Sequence, residues 1–154
     1  MARVDTAVVQ RLIEAKLGTV SNSTVLYFGQ PAPNELTSWH RLETFTVDRP
    51  VPIDRNGADM SDLECTVVGV RRVDLAAGSL FAGASLAEEI CAVIDQASGI
   101  IDASSTHSLF FDRRKVVMRT EQQDQQLIQV AEVTFKGGVI RQTGSTLETY
   151  SPTA

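Results

Sequence analysis

The sequence has little of what most site chemistries need. Its 154 residues hold two histidines and two cysteines, so a metal centre built from His and Cys has few ligands to draw on. Cys65 and Cys91 fall in segments that read as a strand and a helix, and with no disulfide or metal spacing around them both are expected to serve as small buried apolar side chains. No apolar run approaches the roughly 20 residues a transmembrane helix needs. The amino end, Met1-Ala2-Arg3-Val4-Asp5, enters an amphipathic pattern without a signal-peptide block, which points to a protein made and used in the cytoplasm. Cations are outnumbered, 14 Lys and Arg against 19 Asp and Glu, for a formal net charge of −5. Gripping nucleic acid through its phosphates requires a cationic surplus on at least one face, so DNA is expected near this chain at most, not held by it.

Catalytic and cofactor signatures are equally sparse. Asp102, His107 and one of Ser104, Ser105 or Ser108 lie within one loop-like stretch, but triads are assembled from parts distant in sequence and held by rigid elements. His40 beside Trp39 reads as packing, an edge hydrogen bond or solvated surface. Neither glycine-rich stretch, Gly78 to Gly83 or Gly137-Gly138, has the spacing of a phosphate-binding loop. Asp48, Asp54, Asp59 and Asp62 are too irregularly placed for a calcium loop. No enzyme activity, cofactor or metal is expected.

What is there is ordinary globular material, 43% hydrophobic and 21% charged, at a length that suits one domain. Val8, Val9, Leu12, Ile13 and Leu17 recur at helical spacing, which predicts an amphipathic helix over Asp5 to Leu17, capped by Asp5 or Thr6 and closed by a left-handed Gly18. Thr24 to Gly29 predicts a strand running into the proline loop Gln30 to Asn34, and Trp39 to Val47 a second strand. Asp48 to Asp62 reads as a projecting loop, Leu63 to Arg72 as a third, central strand, and Ser79 to Ser98 as a second helix whose regular part starts near Ala84. After a serine-rich link, Lys115 to Thr120 and Leu127 to Lys136 form a hairpin about the polar Glu121 to Gln126; Gly137-Gly138 breaks the last strand, which Val139 to Gln142 resume. The expected architecture is α+β: a mixed, largely antiparallel sheet of four to five strands with two helices packed on one face, over residues 1–142, followed by a flexible tail, Thr143 to Ala154. The other face of that sheet must be covered by something.

Two charge clusters suit protein contacts. Arg113, Arg114 and Lys115, with Arg119 nearby, are basic; Asp54, Asp59, Asp62 and Glu64 are acidic. Opposite patches on one subunit can meet head to tail in a closed ring. Phe110 and Phe111 beside the basic run, and Trp39 at the end of the proline loop, are candidate anchors, with core packing the commoner use of such residues.

The order of parts resembles the tail terminator, or tail-completion, proteins of long-tailed bacteriophages. The resemblance is carried by the helix Asp5 to Leu17, the strand Val25-Leu26-Tyr27-Phe28-Gly29, the loop Pro31-Ala32-Pro33-Asn34 and Trp39 opening the next strand. It continues through Glu64-Cys65-Thr66-Val67-Val68-Gly69-Val70, the helix to Ser98, and Val130-Ala131-Glu132-Val133-Thr134-Phe135. It implies a non-enzymatic virion protein that forms a hexameric ring at the head-proximal end of the tail tube, stops tube polymerisation, and meets a head connector or head-completion protein. DNA would pass the pore without specific binding, since an acidic pore repels it. The length of the Asp48 to Asp62 loop and the extension after Gln142 also fit another head-to-tail connector, such as a head-completion or neck protein. From a different class, a small metabolite-binding regulatory domain would need a concave pocket with converging polar groups.

Overall fold

A computed structural model describes residues 4–33, 36–48, 51–52, 58–74, 81–94, 100–101 and 107–141. The expected tail from Thr143, Asp54, and the stretch holding Asp102, Ser104 and Ser105 lie outside the described residues.

Helix α1 (Thr6–Leu17) begins where Asp5, in extended conformation, accepts a hydrogen bond from the Ala7 N–H at 3.0 Å, satisfying one of the donors a helix start leaves open. It buries Val9, Ile13 and Leu17, the stripe that the three- and four-residue spacing announces. Its end differs from expectation: Gly18 is right-handed, φ −65° and ψ −14°. The last carbonyls are taken up instead by Thr19 N–H on Lys16 and Val20 N–H on Leu17, at 3.0 and 3.2 Å. Helix α2 (Ala82–Ile94) buries Gly83, Leu86, Ala87, Ile90, Cys91 and Ile94. Gly83 in its first turn is explained by close approach. Its N–H donates to Gln129 Oε1 at 2.6 Å, and a Cβ there would stand 2.8 Å from the Gln129 Cβ.

The sheet is built from β1 (Thr24–Leu26), β2 (Ser38–Val47), β3 (Val51–Pro52), β4 (Asp59–Asp74), β5 (Ile100–Ile101), β6 (His107–Gln123) and β7 (Gln126–Arg141). Its order is β1-β2-β4-β7-β6-β5, with β3 beside the start of β4. β1 runs parallel to β2 and every other pairing is antiparallel. The fold is therefore α+β with an open, mixed, largely antiparallel sheet and both helices on one face, as expected. Among the described residues the sheet has seven strands, the expected ones joined by the two-residue β3 and β5 at its margins.

The extra strand length comes from segments too polar to announce themselves. Asp59 opens β4, so the expected loop ends earlier, with Asp59, Ser61, Leu63 and Cys65 pointing inward and buried. The hairpin turn is only Asp124-Gln125, with Asp124 left-handed at φ 55°; Glu121 to Gln123 and Gln126 continue the ladder. Gly137 and Gly138 do not break β7, which pairs with β4 straight through them.

One core lies between sheet and helices: Leu42, Leu63, Cys65, Val67, Leu109, Ala131, Val133, Phe135 and Val139 meet Val9, Ile13, Leu17, Leu86, Ile90 and Ile94. A smaller cluster on the opposite face, Leu26, Trp39, Val70 and Val130, is closed over by Ala32 and Leu36 of the proline loop. That loop thus covers part of the second face. Beyond it, the face is dressed with polar groups such as Thr66 and Thr134, whose hydroxyls lie 3.1 Å apart.

Candidate functional site

Both histidines work on α1. His40, fully buried on β2, places Nε2 2.6 Å from the Leu17 carbonyl oxygen and Nδ1 2.8 Å from Ser23 Oγ. A carbonyl can only accept, so Nε2 carries the hydrogen and Nδ1 accepts from the hydroxyl, which fixes a neutral tautomer. Burial, the largest influence, holds the His40 pKa below the ordinary 6.5 against the opposing pull of the Leu17 carbonyl. His107 on β6 accepts the Asp5 N–H on Nε2 at 3.1 Å. The two rings thus fasten the carboxyl and amino ends of the same helix to the sheet. The thiol of Cys65 is pushed up to about 12, by burial first and the Glu64 charge second. Among the described residues no group of three or more His, Cys, Asp or Glu could hold a metal ion.

The aromatic and acidic contact candidates divide by face. Trp39 is buried in the smaller core, with the Arg41 guanidinium 4.9 Å above its ring. Arg41 also donates to the Gln30 carbonyl at 2.6 Å and to Glu43 at 2.8 Å, so Trp39 anchors the proline loop rather than standing ready for a partner. Asp59 is 5% exposed and turned inward, whereas Asp62 and Glu64 are exposed on the second face. Phe111 packs into the main core, 5.5 Å from Phe135. Phe110 is 39% exposed and lies over Gly138, where a Cβ would come within 2.7 Å of its ring. A Cβ on Gly137 would strike the Phe110 carbonyl oxygen. Close approach of the neighbouring strand therefore accounts for both glycines.

The basic residues sit on β6, where their register partners on β7 are Lys136, Phe135, Thr134 and, for Arg119, Val130. Cross-strand rows read Thr46, Glu64, Lys136, Arg113 and, next, Thr44, Thr66, Thr134, Lys115. Arg114 falls in the row of Phe45, Cys65 and Phe135, on the helix side. Arg119 pairs with Glu132 at 2.7 Å and with Glu121 at 3.6 Å. An open groove of about 350 Å³ runs between the two clusters, lined by Asp48, Asp62, Glu64, Phe110, Asp112 and Arg113 among others. Arg113 of the basic cluster and Asp62 and Glu64 of the acidic one thus line one groove of the same chain.

What the sequence does not announce is the outer edge of β6. β5 pairs only with Ser108 and Leu109. From Asp112 to Gln123 β6 has no outer neighbour among the described residues, and every residue there is exposed, including Val116, Val117 and Met118. The helices pack chiefly over β2, β4 and β7, so the outer strand gets little cover on either side. A signal was present: three consecutive apolar residues inside a polar, charged stretch, without the alternation a half-buried strand needs. The opposite edge is also open in part. β1 pairs with β2 only as far as Arg41, leaving Leu42 to Val47 without an outer neighbour among the described residues. There Phe28 stands edge-on to Phe45 at 5.6 Å, with Tyr27 exposed beside it.

No protein-family model matches the chain, and no curated protein matches it. Among solved structures, it is similar to a chain of the "Virion of native gene transfer agent (GTA) particle", with a TM-score of 0.38, 16% identity, and coverage of 81% of this chain and 84% of that one. The overlay is loose, and the functional reading rests on this chain's own residues.

Proposed function

We propose that this chain is a structural virion protein, a tail terminator whose copies close a ring at the head-proximal end of a phage tail tube, stop its polymerisation and join it to the head connector. The observation that carries the assembly part is the β6 edge, which has no outer neighbour among the described residues from Asp112 to Gln123 and is apolar at Val116 to Met118. A monomer living alone in water blunts such an edge, because unpaired strand amides beside apolar side chains recruit another chain. Both histidines are committed to α1, which supports a role without bond-making chemistry. The tail-terminator part rests on the order of parts, and the net charge of −5 suits a pore that lets DNA pass without holding it.

The experiment is to mix purified protein with tail tubes and, separately, with head portals, and to image both by electron microscopy. Rings capping one end of the tubes are the expected result. Binding to portals alone would move the chain to a head-completion or neck role. A compact dimer that ignores both and holds a small molecule would replace the reading with a metabolite-binding domain.

A further inference from the structure

We infer that the open edge of β6, from Asp112 to Val116, pairs with the open edge of β2, from Leu42 to Val47, on the next copy of this chain. The inference rests on the self-assembly reading and specifies which surfaces meet. Three observations lead to it. First, the edges lie at the same height: the rows that join Thr44 to Lys115 and Thr46 to Arg113 cross the whole sheet. Second, their directions match. β2 is antiparallel to β4, β4 to β7 and β7 to β6, so β6 runs opposite to β2. A second copy turned about an axis along the strands therefore continues the antiparallel ladder.

Third, the charges lean opposite ways. The β6 edge carries Arg113, Arg114 and Lys115 against one acid, Asp112, beside Arg113, and the β2 edge carries Glu43 at its register shift, which also holds Arg41 of its own strand, and Asp48 just past its end. Val116, on the helix side of the sheet, would come toward the exposed Phe28 and the half-buried Phe45. From Val117 onward, which lies in the row of Arg41, the neighbour's β1 occupies the outer side of its β2, so pairing stops at Val116. Such a contact is heterologous: each copy uses one edge on each side, and successive copies close a ring in which these stretches are all paired.

The test uses the full-length chain and measures assembly by native mass and electron microscopy at several concentrations, alone and with tail tubes. Arg113→Glu with Arg114→Glu is expected to raise the concentration for half-assembly by more than about tenfold, as charge reversals at a contact do. Glu43→Lys with Asp48→Lys should do the same, and all four together on one chain should restore assembly. Should either double variant fail to fold, Thr44→Cys with Lys115→Cys takes its place: under mild oxidation it should give a ladder of linked multimers, with Lys115→Cys alone giving none. Assembly indifferent to both reversals, or loss without restoration in the fourfold variant, overturns the edge pairing while leaving self-assembly standing. Linked dimers from Lys115→Cys alone would show β6 meeting β6 and also overturn it. Wild-type protein that stays monomeric throughout, tubes included, removes the assembly reading itself.

Discussion

Helix α1 and the outer strand β6 are held in opposite ways. α1 is fixed at every level: a capping aspartate, a buried stripe, and a histidine at each end. β6 beyond Phe111 is held by its ladder with β7 and little else, with every side chain from Asp112 to Gln123 exposed. The difference separates residues that make the fold from residues the fold displays. Substitutions on the two sides should therefore differ sharply in what they do to stability.

The largest effect is expected at Phe135, fully buried where the sheet meets both helices. Phe135→Ala should cost about 3–5 kcal/mol, read from the denaturant midpoint, and a loss below 1 kcal/mol would show that this core is not where stability lies. His40→Ala comes next, at about 3 kcal/mol at most, because it strands the Leu17 carbonyl and the Ser23 hydroxyl in a buried site. Gly137→Ala should cost about 1–3 kcal/mol by forcing β6 and β7 apart; a neutral result would mean that the two backbones are less close than described.

Acid sharpens the comparison further. The folded His40 has a pKa below 6.5, so the unfolded chain takes up the proton first. Its contribution to stability is fully present above pH 6.5 and declines as pH falls below that value toward the depressed folded pKa. Urea midpoints measured from pH 7.5 down to 5 should fall, and the fall should be shallower in His40→Ala. The smallest effect is expected on the displayed strand: Val117→Ser, on a side chain 47% exposed, should leave stability within about 0.5 kcal/mol. A larger loss in the monomer would mean that part of the chain already covers this edge.

Legibility in the sequence followed burial. α1 could be read because a single buried stripe imposes its period, and the second helix, the central strand and the Leu127 to Lys136 arm of the closing hairpin were legible for similar reasons. The polar halves of β6 and the first residues of β4 were not, since a strand outside the core shows no alternation. The roles of the histidines were hidden for another reason. Their partners are main-chain atoms 23 and 102 residues away, and backbone groups leave no mark in side-chain patterns. Core packing of Trp39 was among the readings of its sequence, but what covers it was not legible, because the residues over it are apolar only at scattered positions such as Ala32 and Leu36.

The register shift at Asp112 governs the handedness of the whole display. Phe110 faces Gly138 and Phe111 faces Gly137, yet Arg113 already sits opposite Lys136, so one inserted residue resets which side of the ribbon comes next. Were Asp112 paired in the ladder instead of bulged out, Arg113, Lys115 and Val117 would swing toward α2 while Arg114, Val116 and Met118 turned outward. A one-codon deletion of Asp112 would instead keep every later pair, from Arg113 with Lys136 onward, and would take from this margin only that one carboxylate.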